Sequence, residues 1–150
     1  MSHVTVVDIQ IKDLAALKAA CAALGLEFRE GQKTFKWWGH SVGDYTLPEG
    51  FTEEDMGKCD HAIKVKGKPD AYEVGVVRRR DGQDGFHLMW DFFAGGHGLE
   101  AAVGKGCSKL CQGYQEQIVL KHSKALIARG FNLKSSKNAA GELVMRLTRG

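Results

Sequence analysis

The hydrophobic positions along this chain switch between a period of two and a helical period, and the switches mark its elements. Val4–Ile11 is rich in β-branched residues and alternates, with Thr5, Val7, Ile9 and Ile11 on one side, which predicts a strand. Leu14, Leu17, Cys21 and Leu24 then recur at helical spacing among alanines, between Asp13 at an N-cap position and Gly25 just past the end. Leu26–Arg29 and Thr34–Trp38 read as short strands across an E-G-Q turn, and Ala62–Val65 as another. Ala71–Val77 and Phe86–Phe93 flank a charged, glycine-containing turn and predict a hairpin. Leu99–Val103 predicts one helical turn. From about Cys107 to Arg129, Leu110, Cys111, Tyr114, Ile118 and Ala125 give the apolar stripe of a long helix that stops at Gly130. Phe131–Leu133 and Glu142–Leu147 close the chain as a hairpin, with Leu143, Met145 and Leu147 facing in and Val144 and Arg146 facing out.

The run from Phe86 to Phe93 organises the rest. Phe86, Leu88, Trp90 and Phe92 alternate with His87, Met89, Asp91 and Phe93, so both faces of this strand are substantially apolar or aromatic. Such a strand belongs in the middle of a sheet, with cover on both sides. The order of elements predicts an α+β fold: a mostly antiparallel sheet with two main helices on one face, the ferredoxin-like sandwich being the nearest named plan. Residues 1–150 read as a single domain. Within it, residues 39–60 form a long loop or insertion, with Pro48 and the acidic run Glu53-Glu54-Asp55.

Composition narrows the class. At 43% hydrophobic with two prolines the chain is not a disordered one. No apolar run approaches the roughly 20 residues that span a bilayer, and the start lacks the pattern of a signal peptide, so a soluble cytoplasmic protein is expected, with no membrane partner. The net charge of +3 divides unevenly: residues 101–150 hold nine Lys and Arg against two Glu, and the first hundred residues are net acidic. A basic end attracts phosphate-bearing partners or is simply a solvated helix face. The four cysteines read as reduced thiols, Cys21 as a small core residue.

Several stretches resemble a known family. The chain opens M-S-H-V-T-V-V-D-I-Q-I-K-D-L and continues with C-D-H-A-I-K-V-K-G-K-P-D-A-Y-E-V-G-V-V and W-D-F-F-A-G-G-H-G-L. It closes with L-C-Q-G-Y, a basic helix ending A-R-G-F, and A-G-E-L-V-M-R-L. These resemble the domain of unknown function twelve-fifty-seven family, found in red-algal plastids, cyanobacteria, bacteria and many bacteriophages. The resemblance implies a soluble intracellular protein, phage-encoded by one reading, and transfers no activity and no site residues. The chain departs from the family at G-K-G-C-S-K-L-C, so no family-wide role is read into Cys107 and Cys111.

Four constellations carry candidate chemistry. Cys107 and Cys111 share a helix face, and Cys59 with His61 would complete a tetrahedral set, although the spacing is not that of a zinc knuckle and packed thiols explain it as well. Gly104-Lys105-Gly106-Cys107 precedes a helix but lacks the first glycine of a Walker loop, leaving at most a backbone anion site with Lys105. Cys107 beside Lys105 would have a lowered pKa, but no oriented base is legible, and the expectation leans away from an enzyme. No cofactor motif is found.

The fourth constellation is aromatic. Trp37, Trp38, Trp90 and Phe92, with Arg78, the Gly95-Gly96-His97 turn, Lys105 and Tyr114, would build a pocket where rings stack a base and cations hold a phosphate. The leading expectation is therefore a non-catalytic protein that binds an anionic small molecule, nucleotide-like in character. The alternatives are a module that docks on a host or partner protein and a single-stranded nucleic-acid binder, the latter disfavoured by the acidic first hundred residues. Aromatic faces also occur where copies of one chain meet, so a homo-oligomer is a further expectation.

Overall fold

The computed structural model describes residues 4–39 and 47–149. The opening M-S-H and residues 40–46 of the expected loop lie outside the described residues. Strand β1 (Val4–Ile11) leads into helix α1 (Leu14–Ala23) and strand β2 (Leu26–Arg29). Strands β3 (His61–Val65), β4 (Val74–Arg78) and β5 (Phe86–Asp91) follow, then helices α2 (Leu99–Val103) and α3 (Ser108–Ile127), and strands β6 (Phe131–Lys137) and β7 (Leu143–Arg149). The fold is α+β, and every pairing in its five-stranded sheet is antiparallel. The strand order is β1-β5-β4-β3-β2, so β2 to β5 form a meander and β1 returns to pair with its last strand. β1 and β2 thus run parallel at opposite edges, joined by α1. Strands β6 and β7 form a separate two-stranded sheet.

Local chemistry accounts for the opening. The Asp13 carboxylate accepts the Ala16 N–H at 3.0 Å, which caps α1, and Gly25 takes φ +71° just beyond the helix. The expected hairpin forms from β4 and β5, with Arg78 opposite Phe86 and Gly75 opposite Met89, but Ala71–Glu73 and Phe92–Phe93 lie outside its strands. One expected pair does not form. Thr34–Trp38 contributes a single bridge, Thr34 to Lys58, and β2 pairs with β3 instead, because Leu26 and Phe28 align with Val65 and Ile63.

Both faces of β5 are covered by the chain itself. Leu88 and Trp90 point toward α1, α2 and α3, and join one core with Leu17, Cys21, Leu99 and Leu110. Met89 points the other way into a second core with Ala62, Val77, Phe35, Phe51, Met56 and Cys59. Phe35, Phe51 and Met56 come from the segment between β2 and β3, so its described part is a packed cover rather than a free loop. Phe35 lies where a methyl group on Gly75 would stand; the bare glycine of β4 is what admits the ring. In the hairpin β6–β7, Val144 and Arg146 are exposed as expected, while the side chains of Leu143, Met145 and Leu147 lie outside the described residues.

Candidate functional site

The residues expected to form an aromatic pocket are not gathered at one place. Trp90 is 2% exposed, inside the helix-side core, with Phe92 at 6.0 Å between ring centroids. Trp38 packs on that same core, whereas Trp37 belongs to the opposite one, with its indole against Gly57. Tyr114 is buried, and its hydroxyl accepts the N–H groups of Lys12 and Asp13 at 3.2 and 3.3 Å, tying α3 to the end of β1. Arg78 lies over the Phe86 ring at 4.7 Å, at the far end of β5 from Trp90. Lys105 is exposed on the turn before α3. The aromatic face of β5 is covered from within the chain, by the helix-side core.

The Gly95-Gly96-His97 turn does have an unusual backbone. Ala94, Gly95, Gly96 and His97 all take left-handed conformations, with φ of 53, 65, 63 and 55°. Glycine adopts these at no steric cost, but Ala94 and His97 do not, and successive left-handed residues are rare. Tyr72 holds the turn from one side: its N–H donates to the Gly96 carbonyl at 2.8 Å, and its ring meets His97 edge-on at 4.8 Å. Asp91, fully buried, holds it from the other, accepting the Phe93 N–H at 3.1 Å and the Trp38 N–H at 3.2 Å. Burial pushes the Tyr72 phenol up, and the Asp91 carboxylate adds to the shift.

The metal and thiol readings are corrected by position. Cys59 lies in the core on one side of the sheet and Cys107 and Cys111 pack on the other, so the four-residue set with His61 is not assembled. Among the described residues no group of three or more metal-ligating side chains comes together. The Cys59 thiol donates to the Gln32 carbonyl at 3.2 Å, and His61 Nδ1 accepts the Gly31 N–H at 2.9 Å. Cys107 does stand at the start of α3, but burial pushes its thiol upward, and Cys111 likewise; desolvation outweighs the helix end. Burial raises Cys21 and Cys59 to about 12. At Gly104, φ +86°, a methyl group would stand against Ser108 and the Lys109 backbone, so only glycine fits this turn before α3.

A different place brings chemistry together. A groove of about 540 Å³ opens on the face of the sheet opposite the helices, lined by Thr5, Val6, Asp8, Pro48, Glu49, Gly50, Phe51, Arg79, Arg80, Asp81 and His87. The three arginines at the end of β4 and just beyond it have three separate tasks. Arg78 lies outside the groove on Phe86. Arg79 turns inward: it pairs with Asp81 through two nitrogens, meets Asp8 at 3.1 Å, and donates to the Ile9 carbonyl at 2.9 Å. Arg80 lies over the Phe51 ring at 4.4 Å and pairs with Asp55 at 3.0 Å, clamping the covering segment onto the sheet. The Asp81 carboxyl is held down at about 2 by Arg79, and that of Asp55 is held far below its usual range by Arg80.

His87 forms part of the wall. It is 7% exposed, its ring stands 5.6 Å from that of Phe51, and its Nε2 has no hydrogen-bond partner. Burial, and then the Arg79 charge, pull its pKa below the usual value, so the imidazole is neutral at pH 7. A neutral imidazole offers one donor and one acceptor nitrogen. Sequence reasoning passed over this site because His87 was read as one position in an apolar alternation. The signal present was a polar side chain set among Phe86, Leu88, Met89 and Trp90, following an R-R-R run.

No family model, curated protein or solved structure matches the chain. No helix among the described residues is long and apolar enough to cross a membrane.

Proposed function

We propose that this chain is a non-catalytic binding protein for a small anionic ligand of nucleotide-like character, held in the groove beneath Gly50 and Phe51. The observation that carries the reading is His87, whose Nε2 is buried and unmatched on the wall of a cavity large enough for such a molecule. Leaving a buried polar atom unpaired costs about 1–3 kcal/mol, which a ligand recovers when its seating shifts the wall enough to bring a polar group to Nε2. Arg79 spends four of its five N–H donors within the chain and serves as a fixed wall. Arg80 is half exposed, and its guanidinium has donors to spare for a phosphate oxygen beyond Asp55. Asp8, Glu49 and Asp81 on the same lining favour a ligand that also carries hydrogen-bond donors, as a base with amino groups does.

Native mass spectrometry of the purified protein and a thermal-shift screen of mono-, di- and cyclic nucleotides test this. A ligand at a hundredfold excess over its Kd adds about 2.7 kcal/mol of stability, a rise in Tm of several degrees. His87→Leu is expected to keep the fold and lose the shift. A screen with no retained ligand and no shift would end the proposal. The resemblance to the twelve-fifty-seven family, a host-cytoplasm setting and a kinship with the ferredoxin-like plan belong to the same proposal. The last rests on the β1-α1-β2 opening, to which a longer meander is added.

A further inference from the structure

We propose that the hairpin β6–β7 is a docking ribbon for double-helical nucleic acid, and that Lys134 and Arg146 are its central phosphate contacts. Register places these two residues directly opposite each other across the ribbon, both exposed. Like charges so placed destabilise a strand pair, because their Cβ atoms are only about 5 Å apart. Among the described residues neither has an ion-pair partner, whereas Lys137 on the same hairpin is matched by Glu116 at 3.0 Å. Lys137 with Glu116 and Gln112 with the Gly141 carbonyl tie the ribbon to α3, and neither contact offsets the repulsion at its centre, which points to a polyanion that relieves it.

The rest of the exposed face fits that occupant. Asn132 and Thr148 flank the pair on one side, and Ser136 on the other, each offering side-chain hydrogen bonds; Val144 is the one apolar residue on this face. A lipid surface would call for an apolar face instead. A two-stranded ribbon enters a major groove about 12 Å wide, and seven residues run about 23 Å along it. Lys124 and Arg129, both exposed at the end of α3 that leads into β6, add two cations at the root of the ribbon. Residues 120–150 carry seven Lys and Arg against the single acid Glu142. The net acidity of the first hundred residues falls before the ribbon in the sequence and leaves it basic.

Fluorescence anisotropy of the full chain with a labelled 30-base-pair duplex of mixed sequence, from 50 to 200 mM KCl, tests the proposal. Four phosphate contacts give a slope of log K against log salt of about −3.6, a loss of roughly 150-fold over that range. Lys134→Glu puts an acid opposite Arg146, so the hairpin gains a cross-strand ion pair while the groove loses a cation. It is expected to fold at least as well, bind at least tenfold more weakly at 50 mM, and have a slope shallower by about 1. Arg146→Glu behaves alike, and Lys66→Glu on the five-stranded body leaves binding unchanged. No binding at 50 mM, a slope that Lys134→Glu does not alter, tighter binding to single strands than to the duplex, or Lys134-dependent capture by anionic vesicles in its place would each overturn the assignment.

Discussion

Arg79 donates from Nη1 to the carbonyl of Ile9 across 2.9 Å, at the place where β1 loses its register with β5. The pairing runs from Val4 to Val7 and resumes at Ile11, and the guanidinium fills the gap between. Replacing Arg79 by Met leaves that carbonyl unmatched and removes the bridge between Asp8 of β1 and Asp81 of the hairpin turn. Arg79→Met is expected to lower the urea midpoint clearly, and Arg78→Met, which loses only a contact with Phe86, to change it little. Equal effects from the two variants would contradict the division of labour described for the arginines.

His87 carries a separate expectation for pH. Burial lowers its pKa in the folded chain, and burial lowers that of His61 as well. The unfolded chain therefore binds more protons than the folded one just below pH 6.5, and stability rises with pH there. The contribution is present in full above that value and is lost as pH falls toward the folded pKa. His87→Leu removes its share of this slope, and because Nε2 has no partner to lose, stability at pH 7 stays level or rises by about 1 kcal/mol. Urea unfolding at pH 5, 6 and 7 checks both statements; a steeper pH slope in the variant would refute the assignment.

The seat of Phe35 over Gly75 tests the intramolecular cover. Phe35→Ala empties a buried position, and a loss of about 3–5 kcal/mol is expected. Gly75→Ala forces the ring to move, with a loss of about 1–3 kcal/mol. Combining Gly75→Ala with Phe35→Leu should cost less than the two changes summed, since each relieves the other. Chemical denaturation of the four proteins in the cycle gives the coupling directly.

Strain in the left-handed turn predicts a gain. Ala94 and His97 hold φ of 53 and 55°. Glycine at Ala94 removes a cost of about 1 kcal/mol, so Ala94→Gly is expected to raise stability by that order, against the usual direction for such a change. A loss on urea unfolding would mean that the alanine methyl contributes contacts worth more than the strain.

How much of this was legible depended on whether the signal was local. The period of Val4–Ile11, the Asp13 cap with Gly25, and the paired runs around β4 and β5 each specify an element within a dozen residues, and all formed. Thr34–Trp38 has an equally good strand pattern, yet β3 is the better partner for β2, and that competition is decided by residues thirty positions away. The cover over β5 was hidden because Phe35, Phe51, Met56 and Cys59 follow no period; their common purpose shows only when they meet Met89. The alternation of β5 announced two buried faces correctly and could not say who would bury them. In R-R-R, three identical side chains received three different tasks, set by turn geometry that the letters do not carry. The Gly95-Gly96 pair marked a tight turn; nothing marked Ala94 and His97 as sharing its conformation.

The return of β1 to the last strand of the meander also bears on how the chain is made. Thr5 must wait for Trp90, its partner across the ladder. At a synthesis rate of about 5–20 residues per second, the first strand spends several seconds or more outside the ribosome with its pairing groups unclaimed. During that interval an alternating β-branched segment stands exposed to other nascent chains, and the burden of keeping it solitary falls on the cell's holding factors until the final strand arrives.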